Sequence, residues 1–145
     1  MKKILLVASH GGHLSELRAL KKAWEGCDVR WASYPSPNSK EIDYSVKHIG
    51  MNPFKMLTSF FVFFKIIYTF RPDYVISTGS EIAIPAMFWA KLFSSKTLYI
   101  ECSARVSSAS LAGKLLYRWV DTFWVQWPHN TKSFGDKAEY HGGTL

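Results

Sequence analysis

The chain has 145 residues, of which 48% are hydrophobic and 16% aromatic, and a formal net charge of +7. This length accommodates one domain with a sizeable core, and the composition excludes an intrinsically disordered chain. The positive charge indicates an acidic partner: nucleic acid, an anionic membrane surface or a phosphorylated substrate. Cys27 and Cys102 lack CxxC spacing, and the first apolar run ends at Ala8, too early for a secretory signal. We therefore expect a cytosolic protein with reduced cysteines.

Apolar runs of strand length alternate with helical patterns along the chain. The predicted strands are 2–7, 28–32, 44–49, 74–77, 97–100 and 122–125. The predicted helices are 14–24, 54–70, 82–93 and 109–119. Strict alternation predicts an α/β, Rossmann-like parallel sheet with helices on both faces, formed as a single domain over residues 1–145.

The first predicted strand leads into Ser9-His10-Gly11-Gly12-His13, which opens the first helix. The two glycines let the backbone come close to a ligand, and the free amides of a helix N-terminus attract an anion. Phosphate is therefore the expected ligand, with His13 facing it from the first helical turn. The alternative is an ordinary strand-to-helix turn that binds nothing.

Two further polar loops follow the fourth and fifth predicted strands, at 78–81 and 101–105. In the usual strand order 3-2-1-4-5, strands one and four are neighbours at the switch point of the sheet. The three loops should then meet at the carboxyl ends of adjacent strands, where open α/β sheets bind ligands. Their convergence is stronger evidence for a site than any one loop.

The familiar cofactor motifs are missing from this sequence. It contains no G-x-G-x-x-G, and no glycine-rich run that ends in Gly-Lys-Ser or Gly-Lys-Thr. A zinc site at His10, His13 and Cys102 lacks adequate further ligands. We therefore expect neither a cofactor nor a metal.

The predicted helix 54–70 contains six of the chain's ten phenylalanines. On a helical wheel its polar residues occupy one narrow face and leave about two thirds of the circumference apolar. We interpret it as a helix that lies in a membrane interface. The residues expected to contact the membrane are Phe60, Phe61, Phe63, Phe64 and Lys65. A fully buried crossover helix and a membrane-spanning helix remain as alternatives.

Four ordered segments, 9–13, 77–81, 99–106 and 125–128, together resemble one protein family. It is the family of non-donor subunits of split, GT-B-type glycosyltransferases. It includes bacterial capsule and exopolysaccharide proteins of the PssD and CpsF kind, and the membrane subunit of the dolichol-pathway UDP-GlcNAc transferase. The acceptor half of MurG is more distantly similar. The resemblance implies half of a GT-B fold that binds a polyprenyl-diphosphate-linked sugar, while a separate catalytic subunit binds the UDP-sugar.

Such chemistry needs a base for the acceptor hydroxyl and contacts for its diphosphate. We expect His13 to be the catalytic base, because histidine titrates near neutral pH, with Glu101 as the second choice. The expected acceptor-binding residues are Ser9, His10, Gly11, Gly12, Thr78, Gly79, Ser80, Glu81 and Arg105. Of these, the glycines supply backbone amides and Arg105 supplies a charged clamp.

Length independently supports a split enzyme, because two Rossmann-like domains need well over twice ~150 residues. The resemblance implies a peripheral or monotopic protein on the cytoplasmic side of the plasma membrane. Residues 128–145 are polar and glycine-tipped, and we expect them to form a tail that contacts the partner. Two rival functions are a stand-alone enzyme acting on a soluble phosphorylated substrate and a basic nucleic-acid-binding module. The second is disfavoured because no known nucleic-acid motif with interleaved aromatic and basic residues is present.

Overall fold

The structure is a computed structural model that describes residues 1–37 and 39–144. Its centre is a seven-stranded parallel sheet with the strand order β3-β2-β1-β4-β5-β6-β7. The strands are β1 (Lys3–Ala8), β2 (Asp28–Ser33), β3 (Tyr44–Ser45), β4 (Tyr74–Gly79), β5 (Lys96–Ile100), β6 (Thr122–Val125) and β7 (Ala138–Tyr140). The predicted fold class and the central position of β1 beside β4 are confirmed.

Helices cover the two faces of the sheet unequally. They are α1 (Gly12–Ala19), α2 (Pro53–Phe70), α3 (Ala83–Leu92), α4 (Leu111–Leu116) and α5 (Asn130–Phe134), with a 3-10 turn at Lys21–Trp24. Alternation along β1 sends Leu5 and Val7 into the core beneath α2 and α3, and Ile4 and Leu6 into a smaller core beneath α1. Both cores hold the strand ends in fixed positions.

Several elements are shorter than predicted. The third strand has two paired residues instead of six, because β2 ends at Ser33. The Val46 amide still donates to the carbonyl oxygen of Ser33 at 2.8 Å, and the pairing ends there. The first helix changes to the 3-10 turn after Ala19, and the helix predicted at 109–119 covers only Leu111–Leu116.

The segment after residue 128 forms α5 and β7, neither of which was predicted. Strand β7 pairs in parallel with β6, and Phe134 of α5 packs on the larger core. The tail thus adds a helix and an edge strand to the sheet, and its expected contact with a partner stays a prediction.

Helix α2 has one buried side and one exposed side. It starts at the Asn52 side chain, which accepts hydrogen bonds from the amides of Phe54 and Lys55. Helical spacing turns its buried residues toward the sheet; they are Ser59, Phe63, Ile66, Ile67 and Phe70. The buried side therefore includes Ser59, one of the polar residues that the helical wheel places on the narrow polar face. The expected membrane contact of Phe63 is wrong, because this residue is 0% exposed.

The exposed side of α2 carries a continuous apolar row, here called the outer stripe. It consists of Phe54, Leu57, Phe61, Phe64 and Tyr68. These residues recur every three or four positions, which aligns them along one helix face. Phe60 lies at the margin of this face, half-buried, with its ring edge-on to that of Phe88. The alternative of a fully buried crossover helix is excluded by this exposure.

Candidate functional site

One cleft of about 680 Å³ lies at the carboxyl ends of β1, β4 and β5, and all three predicted loops contribute to it. The first loop contributes only His13 and the second only Ser80 and Glu81; the predicted acceptor-binding residues outside the lining are Ser9, His10, Gly11, Gly12, Thr78 and Gly79. The polar lining of the cleft includes His13, Ser80, Glu81, Cys102, Arg105 and Ser110. Its apolar lining includes Met51, Ile84, Val106, Leu111 and Ala112. The cleft thus presents both polar and apolar side chains to a ligand.

The turn at Gly11 and Gly12 leaves the start of α1 open. Gly11 has φ +85°, a conformation that favours glycine, and a side chain added at either glycine would meet no atom within 4 Å. No side chain caps α1, so the amides of its first turn are available to an anion. This geometry suits a phosphate group. Nearby, Ser9 is buried, whereas His10 is exposed with its ring 6.1 Å from that of Tyr34.

His13 is fixed by the loop after β4. Its Nδ1 lies 3.0 Å from the carbonyl oxygen of Thr78, and the Thr78 hydroxyl donates to the carbonyl oxygen of His13 at 2.6 Å. A carbonyl only accepts, so Nδ1 carries the hydrogen, and Nε2 of the neutral ring keeps a lone pair. His13 can therefore act as a proton acceptor.

Gly79 permits this arrangement by its lack of a side chain. A Cβ there would lie 3.0 Å from Cε1 of His13, and the residue has φ +127°. Its own amide donates to the Ser77 hydroxyl at 3.2 Å. The expectation that the Gly79 amide contacts a diphosphate is therefore wrong, because that amide is buried and already bonded.

Glu81 joins three segments at the cleft. Its carboxylate accepts hydrogen bonds from the Tyr34 hydroxyl at 2.8 Å, from the Gly50 amide at 3.3 Å and from Ser80. Burial opposes its ionisation, but the hydrogen bonds from Ser80, its own backbone and Tyr34 together hold the pKa of Glu81 below its usual value. Burial, with the bond to Glu81, raises the pKa of the Tyr34 hydroxyl. Glu81 stays ionised and holds Tyr34 in place.

Glu101 does not reach the cleft surface. It is 0% exposed, and its carboxylate accepts hydrogen bonds from the Cys102 amide and from both the amide and the hydroxyl of Ser110. A Cβ at Gly113 would also collide with it, so α4 packs directly against this side chain. The second choice of catalytic base is therefore wrong: Glu101 anchors the loop that leads to α4.

Arg105 is exposed on the cleft wall, and no ion pair to its guanidinium occurs in residues 1–37 or 39–144. Its backbone oxygen accepts a hydrogen bond from the Asn130 side chain at 2.7 Å, which anchors the loop from behind. The guanidinium therefore remains available to an anionic ligand. The cleft thus combines an exposed cation with a fixed imidazole.

Glu16 is buried next to two residues that line the cleft, His13 and Cys102, and it was not among the predicted site residues. It lies on α1 one turn after His13, and it accepts hydrogen bonds from the amide of Ser103 at 2.9 Å and from the Ser103 hydroxyl. A ring nitrogen of His13, a carboxylate oxygen of Glu16 and the sulfur of Cys102 all lie within 4.8 Å of one another. Burial raises the pKa of the Cys102 thiol and favours its neutral form. The spacing of i and i+3 indicates that Glu16 neighbours His13 on one helix face, but it does not indicate that Glu16 is buried.

A family model described as "Oligosaccharide biosynthesis protein Alg14 like" matches residues 2–144. The human UDP-N-acetylglucosamine transferase subunit ALG14 is 29% identical over 162 residues, with 86% of this chain and 75% of that protein covered. The Yarrowia lipolytica protein of the same name is 31% identical over 90 residues, with 58% of this chain and 41% of that protein covered.

Among solved structures, Acinetobacter baumannii MurG superposes with a TM-score of 0.81 at 21% identity, covering 99% of this chain and 45% of that chain. MnaA from Staphylococcus aureus, in a co-structure with UDP, superposes with a TM-score of 0.79 at 13% identity. The match covers 99% of this chain and 46% of that chain. The chain thus spans less than half the length of the Yarrowia relative and of both solved chains.

The structural likeness shows that the fold is the Rossmann-like half of a GT-B arrangement. The family match extends over nearly every residue and agrees with the resemblance carried by the four sequence segments. The chain belongs to the Alg14-like family of oligosaccharide biosynthesis proteins.

Proposed function

We propose that this chain is the acceptor-binding, membrane-docking subunit of a two-subunit UDP-sugar glycosyltransferase. Its acceptor is a sugar linked to a polyprenyl diphosphate, and a separate polypeptide binds the UDP-sugar. The observation that carries the proposal is the mixed lining of the cleft, in which polar loop residues and apolar side chains occur together. An amphipathic ligand with a diphosphate between sugar and lipid matches both kinds of lining. Family relatives that bear the name UDP-N-acetylglucosamine transferase subunit support the reaction class.

The diphosphate is assigned to the open start of α1, with Arg105 as its cationic contact. Met51, Val106 and Leu111 then face the first isoprenoid units. The acceptor sugar lies near His13, whose Nε2 takes the proton from the attacking hydroxyl. In this assignment Glu81 accepts the hydrogen bond from Tyr34 and orients the surrounding loops. It contacts the acceptor sugar only with the part of its side chain that lines the cleft.

Membrane docking is assigned to the outer stripe of α2. Among the described residues, α2 is the one helix that is long and apolar enough, by length and composition alone, to cross a membrane. A spanning position would withdraw Phe63, Ile67 and Phe70 from the core. An interfacial position keeps that packing and buries the stripe in lipid, with Lys55 and Lys65 exposed beside it for headgroups. The membrane surface proposed is the cytoplasmic face of the plasma membrane.

The test is a transfer assay in membranes that contain this chain, its candidate donor-binding subunit from a neighbouring reading frame, or both. Labelled sugar should pass from one UDP-sugar of a panel to the lipid fraction only when both chains are present. Robust transfer by this chain alone would refute the split-enzyme proposal. Binding to oligonucleotides but not to anionic vesicles would favour the nucleic-acid alternative instead.

His13→Ala in the assembled complex tests the assigned chemistry. With the acceptor saturating, turnover should fall at least ~100-fold, as expected for a lost general base. An unchanged maximal rate with weaker acceptor binding would reduce His13 to a ligand contact and assign the base to the partner subunit.

A further inference from the structure

Glu16 is a buried acid without a countercharge. Its side chain is 1% exposed, and no lysine, arginine or histidine of the described residues forms an ion pair with it. One oxygen, Oε1, accepts the two hydrogen bonds from Ser103. The other oxygen, Oε2, is buried and has no hydrogen-bond partner among residues 1–37 and 39–144. A buried carboxylate oxygen in this state is unfavourable unless a positive charge arises near it.

The groups around Glu16 identify where that charge can arise. Cys102 faces it with a thiol that burial keeps neutral, at 3.9 Å from Oε1. Glu81 and Arg105 line the same cleft, but neither bonds to Glu16. His13 is the titratable base of this cluster, within 4.8 Å of the Glu16 carboxylate on the same helix. Its imidazolium form would supply the missing countercharge.

We propose that Glu16 is a positioning residue that stabilises the imidazolium formed on His13 during sugar transfer. The inference rests on the proposed function. In the step concerned, the acceptor hydroxyl oxygen bonds to the anomeric carbon of the donor, and its proton passes to Nε2 of His13. The bond from that carbon to UDP breaks, and its electron pair leaves with UDP. Glu16 touches no substrate and takes no proton; its negative charge favours the protonated ring.

Thr78 and Glu16 act on the His13 ring in two different ways. The Thr78 carbonyl fixes the ring orientation through Nδ1, while Glu16 acts on the charge of the ring. Oε1 remains bonded to Ser103, so the carboxylate cannot rotate away from His13 without breaking those bonds. The arrangement parallels the general scheme in which a base is supported by a third group.

The test uses the complex of this chain with its donor-binding subunit. Glu16→Gln removes the charge while the amide oxygen can still accept from Ser103. It should lower kcat at least ~10-fold and leave the KM for the acceptor nearly unchanged. Glu16→Asp keeps the charge and should recover part of the rate. Ser103→Ala removes one of the two bonds that hold Oε1 but keeps the charge of Glu16, so it should lower kcat by less than Glu16→Gln does.

A double-variant cycle separates this role from a merely structural one. In a His13→Ala background, Glu16→Gln should cause no further loss of kcat, because the charge it supports is no longer formed. An additional loss as large as in the wild-type background overturns the proposal. Circular dichroism melting of each variant must show the folded state before its rate is compared.

The possible failures are distinguishable. If His13→Ala lowers kcat but Glu16→Gln does not, the Glu16 proposal is overturned and the proposed function stands. If His13→Ala leaves kcat unchanged, the base assignment and this inference both fall. A cobalt(II) titration gives an independent check, since a thiolate-to-metal absorption band that Cys102→Ser abolishes would identify the cluster as a metal site and overturn the proposal.

Discussion

His13 and Thr78 are joined by two hydrogen bonds that run in opposite directions, one through the imidazole and one through the threonine hydroxyl. These bonds connect the first turn of α1 to the end of β4, the strand beside β1. The imidazole ring is therefore fixed at the carboxyl edge of the sheet, although His13 directly follows the Gly11-Gly12 turn. Fixed orientation of this kind favours catalysis over adaptable binding.

Gly79→Ala should disturb both the fold and the position of His13. The new methyl group would lie 3.0 Å from Cε1 of the imidazole, and φ +127° is unfavourable for alanine. We expect a loss of about 1–3 kcal/mol in the free energy of unfolding and a reduced transfer rate. Urea denaturation measures the first effect. Gly12→Ala is the stability control, because its methyl group meets no atom within 4 Å; equal losses in the two variants would contradict the explanation.

Arg105→Gln should weaken acceptor binding without changing turnover. Its guanidinium is exposed on the cleft wall, where a diphosphate would pair with it. A lost charge-assisted contact of about 1.5–3 kcal/mol corresponds to a roughly 10- to 100-fold higher KM for the acceptor. Arg118→Gln, at an exposed position outside the cleft lining, makes a matched control. If both substitutions raise KM equally, the effect is one of overall charge.

Phe61→Ser and Phe63→Ser should have opposite consequences, although the two residues are nearly adjacent. Phe61 is 69% exposed on the outer stripe and Phe63 is 0% exposed in the core. The first variant should remain folded but sediment less with anionic vesicles. The second should lose at least about 3 kcal/mol of stability from the cavity and the buried hydroxyl. Vesicle sedimentation and thermal melting of both variants test this; unchanged vesicle binding of Phe61→Ser would exclude the stripe as the docking surface.

The carboxylate of Glu81 predicts an acid-sensitive contribution to stability. Its pKa is lowered in the folded state, so the contribution is present above the pKa of the unfolded chain, which is about 4.5, and is lost as the pH falls through the folded value. Glu81→Gln should flatten the decrease of the melting temperature below about pH 4.5. The exposed Glu25 offers a control, since Glu25→Gln should leave that decrease intact. A wild-type decrease that survives in Glu81→Gln would refute the assignment.

The sequence was sufficient to predict where the cleft lies. Parallel strands bring their carboxyl ends to one edge, so the polar segments after β1, β4 and β5 had to meet once strand order was inferred. The burial of Glu101 was not predictable in this way. The surroundings of Glu101 depend on its hydrogen bonds from Ser110 and on the position of α4. Helix α4 can approach Glu101 this closely because Gly113 has no side chain.

The same limit applies to α2 and to Glu16. The wheel showed a broad apolar surface, but which part faces the sheet depends on contacts with α3 and β4, so Phe61 and Phe63 looked alike. Glu16 occupies a helical position that a solvated acid could equally occupy. Its burial follows from Ser103, 87 residues away in the chain. Long-range contacts of this kind leave no local pattern.

Gly50 and Met51, which line the cleft, directly precede the residues from which α2 and its outer stripe begin. The proposed membrane-docking surface and the cleft are therefore neighbours in the chain. If the outer stripe lies in lipid as proposed, an acceptor held in the bilayer would reach His13 by lateral diffusion, without ever dissolving in water. The quantity that governs the rate would then be the surface density of acceptor in the membrane. Two membranes with equal total acceptor but different lipid areas should support different velocities.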